Sequence, residues 1–158
     1  MDQNNTKILV RELIPNDVRV IWKWRNDELT RKMSSDEEYI SFEDHELWFK
    51  KIFTDSNYWV YIGEINENPF GICHIKRTAQ RTAEVSLNIC PKNRQSGLGR
   101  ALLTSSLARF SNAWQGILVA YIKPENDRSQ KCFIHAGFSK SGSHGELLRY
   151  EKVISAKN

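Results

Sequence analysis

Leu87–Leu107, LNICPKNRQSGLGRALLTSSL, is the stretch on which the fold turns. Leu87, Asn88 and Ile89 end a segment of alternating character, and Pro91 stops it, because proline offers no N–H to a strand ladder. A basic loop punctuated by glycine follows, Arg94-Gln95-Ser96-Gly97-Leu98-Gly99. The chain then enters an apolar helix through Arg100, Ala101, Leu102 and Leu103. Strand, glycine loop and helix N-terminus together present a cluster of backbone N–H groups, to which the helix dipole adds partial positive charge. Such a pocket suits a phosphate.

The 158 residues are enough for one domain with a real core, spanning 1–158, and the hydrophobic fraction of 40% is that of an ordinary globular protein. A net charge of +4 is compatible with an anionic ligand. The basic residues alternate with acidic ones, however, whereas nucleic-acid binding calls for a denser patch, so no nucleic-acid partner is expected. Cys73, Cys90 and Cys132 stand apart among apolar neighbours, without a C-x-x-C pair or a His/Cys cluster. They are expected in the core, reduced, with no metal. The N-terminal MDQNNTKILV has no signal-peptide character, and no apolar run reaches bilayer length, so a cytoplasmic protein without membrane partners is expected.

Outward from the central stretch, the periodicity defines the remaining elements. Lys7–Glu12 reads as a strand, and Val18, Val20, Ile21 and Trp24 recur at helical spacing after the Pro15-Asn16-Asp17 turn. Asp27 is placed to cap a short helix carrying Arg31 and Lys32, and Ser41 to cap another with Leu47, Trp48, Ile52 and Phe53 as its apolar stripe. Three strands then form a meander: Tyr58–Ile65, Phe70–Lys76 and Thr82–Ile89. On the third, Ala83, Val85 and Leu87 share one face and Glu84, Ser86 and Asn88 the other. The helix after the glycine loop is expected over about Gly99–Trp114. Ile117–Ile122 is a fully apolar strand, and a short helix from Asn126 closes at Gly137. Phe138–Gly145 reads as polar and turn-rich, before a last strand Leu147–Ile154.

The loop pattern is R-x-x-G-x-G, without the lysine and hydroxyl residue of a Mg-nucleotide P-loop. It follows a three-strand meander rather than a first βα unit, which disfavours a Rossmann dinucleotide site. The pyrophosphate of coenzyme A remains. On these residues the chain resembles the GCN5-related N-acetyltransferases. Their Q/R-x-x-G-x-G/A signature is matched by Arg94, Gly97 and Gly99, and their later Asn-initiated helix ending in G-F by Asn126, Ser129, Phe133, Gly137 and Phe138. The resemblance implies an α/β fold with a mixed, mostly antiparallel sheet of six to seven strands, splayed between strands 4 and 5 and flanked by about four helices. It also implies acetyl-CoA as cosubstrate. The pantetheine would lie along Leu87, Asn88 and Ile89, and the pyrophosphate on the loop from Arg94 and Gln95 through Ser96, Gly97, Leu98, Gly99 and Arg100. Asn126, Ser129 and Phe133 complete the expected cofactor site.

One departure matters. Family members commonly carry, where this chain has Phe133, a tyrosine that protonates the leaving thiolate. CoA thiolate is a fairly good leaving group that a water could protonate; Tyr121, Tyr150, Ser129 and Cys132 are the side-chain substitutes the sequence offers. Direct transfer also requires a base for the incoming ammonium. Glu84 is the first choice, on a strand where several relatives of this kind carry a catalytic glutamate, and His74 on the neighbouring strand is the second. A solvent-facing Glu84 and a packed, hydrogen-bonded His74 are the structural alternatives. His45 and His135 read as structural or exposed.

The acceptor is addressed by the N-terminal third. Trp24-Arg25-Asn26, with Ser41, His45, Trp48 and Phe49 further on, resembles a pattern shared by two branches of the family. One acetylates the 4-amino group of nucleotide-linked amino sugars on the way to nonulosonic acids such as pseudaminic acid; the other acetylates protein N-termini, including those of ribosomal proteins. Lys123-Pro124-Glu125-Asn126 and Phe133 favour the first. Trp24, Arg25, Asn26, Arg31 and His144 are therefore the expected acceptor residues, with Arg25, Arg31, Lys32 and Arg77 available to phosphates and Trp24, Tyr39 or Trp48 to stack on a base or sugar face. The expected partner is a small-molecule acceptor, and the protein a monomer or homodimer. An N-terminal peptide acetyltransferase and a non-catalytic acyl-CoA-binding domain are the alternative readings.

Overall fold

The computed structural model describes residues 7–94 and 96–155. Seven strands form one sheet: β1 (Ile8–Glu12), β2 (Tyr58–Ile65), β3 (Asn68–Ala79), β4 (Thr82–Ile89), β5 (Gly116–Ile122), β6 (Ser139–His144) and β7 (Leu147–Ile154). Five α-helices accompany them among the described residues: α1 (Val18–Asn26), α2 (Glu28–Met33), α3 (Phe42–Thr54), α4 (Leu98–Phe110) and α5 (Asp127–His135). The strand order is β1-β2-β3-β4-β5-β7-β6. Every neighbouring pair is antiparallel except β4 and β5, which run parallel.

Alternation along the strands divides the core between the two faces of the sheet. Val60, Ile62 and Ile72 pack on Ile21 and Trp24 of α1 and on Phe49 and Ile52 of α3. Cys73, Ile75, Ala83, Val85, Leu118 and Ala120 pack on the opposite side, against Leu102, Leu103, Leu107 and Phe110 of α4 and Phe133 of α5. The three cysteines are free and buried, as their apolar surroundings imply.

The caps follow the chemistry of the cap residues. The Asp27 carboxylate accepts from the Thr30 amide at the start of α2, and Ser41 from the Asp44 amide at the start of α3. Asn126 does the same for α5 through the Ser129 amide. At the other end of α5, Gly137 takes φ +96°. The Phe138 amide donates to the Phe133 carbonyl, and the Gly137 amide to that of Ile134. This is a Schellman closure, and its accompanying hydrophobic contact is the edge-to-face packing of Phe133 and Phe138 at 5.0 Å.

Two expectations are corrected. Phe138–Gly145 contains a strand, β6, and not only turns. It is an outer strand bonded to β7 alone, every residue is exposed, and its register shifts between Lys140 and Gly142. An edge strand with no buried face has no need of alternating apolar residues, so the periodicity is silent there. The helix after the glycine loop ends at Phe110 rather than Trp114, because the Asn112 and Ala113 amides bond three residues back, to the Arg109 and Phe110 carbonyls, and break the four-residue ladder.

The sheet does not stay closed along its length. β4 and β5 are paired at Thr82–Ile117, Ala83–Leu118 and Glu84–Val119, and then part. Beyond Glu84 the peptide edge of β4 from Val85 to Ile89 faces an opening instead of β5.

Candidate active site

The opening is a cavity of about 1040 Å³ bounded by the β4 edge, the glycine loop, the start of α5 and the segment from α1 through α2 to Asp36. Where the strands diverge lies an inner pocket of about 170 Å³, which shares Glu84, Ser86, Leu87, Asn126 and Ser129 with that cavity. Two arms meet at β4. The first is lined by Leu87, Asn88, Ile89, Arg94, Ser96, Gly97, Gly99, Arg100, Asn126 and Ser129; the second contains Arg25, Leu29, Met33, His74, Glu84 and Ser86.

The first arm has the features of a phosphate site. Gly97 sits at the N-cap of α4 with φ +77°, a left-handed conformation that glycine adopts at little cost, and an added Cβ there would meet nothing within 4 Å. The first-turn amides of α4 have no intrahelical acceptor. With glycine as N-cap, no side chain caps them either. These donors, the cation of Arg100 beside them and the free β4 edge match an extended, amide-bearing ligand that ends in phosphates. Coenzyme A has that chemistry, and the residues fit it. Gln95 of the expected loop lies outside the described residues.

Arg94 lines this arm but is committed elsewhere. Its Nη2 donates to the Asp27 carboxylate and to the Thr30 hydroxyl, each at 2.6 Å. Burial alone would raise the Asp27 carboxyl; the bonds from Arg94 and the Thr30 amide outweigh that and hold it below the ordinary carboxylate range. The signature arginine therefore clamps α2 onto the glycine loop.

In the second arm His74 and Ser86 are direct cross-strand partners, as are Lys76 and Glu84. Glu84 is exposed to the cavity. His74 is held by Tyr58, stacked at 5.2 Å, and by the edge of Trp48 at 5.7 Å. Its Nδ1 stands 3.5 Å from the Ser86 hydroxyl, and its Nε2 is buried with no hydrogen-bond partner. Burial first, and the Lys76 cation second, push the His74 imidazole down to about 4, so it is neutral at physiological pH. Arg25 donates from Nη2 to the Asp36 carbonyl, while its Nη1 is buried and unpartnered.

The other expected acceptor residues are placed differently. Trp24 is core, 4% exposed, and lines neither cavity: its position on α1 points into the sheet with Ile21. Asn26 is a brace, donating to the Ile40 carbonyl and accepting the Ile40 amide, both within 2.9 Å. Arg31 lies over the Tyr39 ring at 6.0 Å and does not line the cavity. His144 is exposed on β6, 5.4 Å from the Tyr121 ring, outside both cavities. On the cofactor side Leu98 packs against the core, and Phe133 is 2% exposed with an edge in the inner pocket. His45 is structural, its Nε2 2.8 Å from the Val18 carbonyl. Ser86, Leu29, Met33, Ser34 and Ser35 also line the cavity without a motif to mark them; Ser86 alone has a sequence signal, its place between Glu84 and Asn88 on one face of the strand.

Residues 7–139 match the family model described as "Acetyltransferase (GNAT) domain". The chain belongs to the GNAT acetyltransferase family. It is an N-acetyltransferase of the fold to which the R-x-x-G-x-G loop pointed, and the family's donor is acetyl-CoA. Acetyltransferase PseH from Campylobacter jejuni is 26% identical over 124 residues, covering 77% of this chain and 76% of that protein. Among solved structures, a Vibrio cholerae spermidine N-acetyltransferase in complex with CoA and spermine superposes with TM-score 0.83 at 20% identity, covering 95% of this GNAT chain and 97% of the other. A ribosomal-protein-alanine N-acetyltransferase from Brucella melitensis gives 0.79 at 20% identity, with 92% and 99% covered. At that identity the likeness is one of fold. Among the described residues there is no cluster of side chains able to hold a metal ion, and no helix is long and apolar enough to cross a membrane.

Proposed function

We propose that this GNAT enzyme transfers acetyl directly from acetyl-CoA to the 4-amino group of a nucleotide-linked amino-deoxy sugar, within the synthesis of nonulosonic-acid surface glycans. The observation that carries the reading is the two-armed cavity: a phosphate-binding arm and an acceptor arm that meet where β4 leaves β5. The acceptor arm holds Arg25, whose free Nη1 suits a phosphate of the acceptor. The resemblance of Trp24-Arg25-Asn26 and the α3 segment to the amino-sugar branch, and the likeness to Acetyltransferase PseH, support the same substrate class.

Acetyl-CoA, when bound, supplies the acetyl group to be transferred. The residues of this chain hold it through the α4 amides and the β4 edge, and prepare the amine. Glu84, exposed in the acceptor arm, takes the ammonium proton through water. His74 is too weak a base for that task at neutral pH and instead offers its free Nε2 to the acceptor as a neutral hydrogen-bonding group.

Thiol release tests the assignment. UDP-linked 4-amino sugars, peptides with free N-termini and spermidine are each presented with acetyl-CoA, and the amino sugars are expected to be turned over with the highest kcat/KM. Preferential turnover of peptides would give the reaction to α-amines. Tight acetyl-CoA binding without turnover of any panel would contradict the sugar assignment.

A further inference from the structure

With phenylalanine at 133, the proton for the leaving sulfur comes from another side chain or from cavity water. The described residues narrow the choice. Tyr150 is 2% exposed, donates its hydroxyl to Gln130 Oε1 at 2.8 Å and lines neither cavity. Cys132 lines the outer cavity but not the inner pocket, and burial pushes its thiol up to about 11, which makes it a reluctant donor. Ser34, Ser35, Ser86 and Ser129 reach the inner pocket, yet an aliphatic alcohol leaves an alkoxide, a far stronger base than a thiolate.

Tyr121 is different. Leu118, Ala120 and Ile122 of β5 turn into the core against α4 and α5, so Tyr121 lies on the opposite face, with Val119. Val119 is paired with Glu84 at the last rung before the strands part, and Tyr121 is two residues beyond it. Tyr121 and Phe133 line the same inner pocket. The backbone partner of Tyr121 on β7 is Arg149, so the two side chains share one face of the sheet and the guanidinium interacts electrostatically with the phenol. Arg149 is itself fixed by Glu151 at 2.6 Å and Ser141 at 2.7 Å. A guanidinium on the same face as the phenol stabilises the negative charge that proton donation leaves there.

We infer that Tyr121, supplied from β5 and supported by Arg149, replaces the missing α5 tyrosine as the proton donor to the leaving sulfur. The inference rests on the acetyl-CoA assignment. In the step, the amine nitrogen forms a bond to the acetyl carbonyl carbon and the carbon–sulfur bond breaks, with its electron pair going to sulfur. The Tyr121 O–H proton passes to that sulfur. The nitrogen releases its surplus proton to cavity water, and the phenolate regains one from the same water, so the enzyme returns to its starting form.

The test compares CoA with desulfo-CoA by isothermal titration on the wild-type protein and on Tyr121→Phe, which removes one oxygen and leaves the ring to pack. Wild-type protein is expected to bind CoA about fivefold more tightly than desulfo-CoA, the worth of one hydrogen bond to sulfur, and the variant to bind both equally. With an acceptor from the panel, kcat of the variant falls about 100-fold, the low end of general acid–base effects, with little change in the affinity for desulfo-CoA. A variant that keeps the preference for CoA, or that keeps wild-type turnover, overturns the assignment of Tyr121. Failure of the wild-type protein to bind either ligand would instead overturn the acetyl-CoA reading and this proposal with it.

Discussion

Glu84 and His74 look alike from the sequence, two titratable residues on adjacent strands, and the structure separates them by environment. Glu84→Gln keeps the shape and removes the base, so kcat is expected to fall about 100-fold with acetyl-CoA affinity unchanged; unaltered turnover across the pH range would remove Glu84 from the reaction. His74 makes its own contribution to stability. Its folded value of about 4 lies below the ordinary 6.5, so between these values the unfolded chain binds more protons than the folded one. Stability is therefore lost as pH falls through that window, and burial of His45 acts in the same direction. The His74 share between pH 7 and pH 5 is about 2 kcal/mol. Urea midpoints at the two pH values measure it, and His74→Gln should narrow the gap; an unchanged gap would place the acid sensitivity elsewhere.

At the level of elements, the features that were legible are those with a local physical signature. Ser41, Asp27 and Asn126 cap the helices they were expected to cap, because a short polar side chain before an apolar stripe has little else to do. Asn126→Ala is expected to cost about 1 kcal/mol in thermal or urea unfolding, the usual worth of such a cap. What was hidden depends on distant partners. β6 has no face to bury, Arg94 is claimed by Asp27, 67 residues away, and Asn26 is claimed by Ile40. Nothing local distinguishes an arginine that binds a ligand from one that clamps a helix. Since Asn26 braces the segment leading into α3, Asn26→Ala is expected to raise the acceptor KM several-fold while leaving acetyl-CoA affinity near the wild-type value, as seen in initial-rate kinetics and titration. A fall in acetyl-CoA affinity instead would show that the brace serves the cofactor arm.

For the whole molecule, the decisive feature is the parting of β4 from β5 after Glu84, which exposes a strand edge beside an uncapped helix N-terminus. The glycine loop and the downstream Asn126 marked the first arm of the cavity, because backbone conformation restricts the residues that can occupy those positions. The second arm was only partly legible, since it draws one or two side chains from each of α1, α2, β3 and β4. Isothermal titration of the wild-type protein with acetyl-CoA addresses the central claim most directly. One acetyl-CoA per chain is expected to bind with a micromolar or tighter Kd, and Gly97→Asp, which places a bulky anion at the open left-handed position, is expected to abolish that binding while the protein stays folded. Absence of micromolar binding by the wild-type protein, or full binding by the folded variant, would contradict the assignment of the cavity.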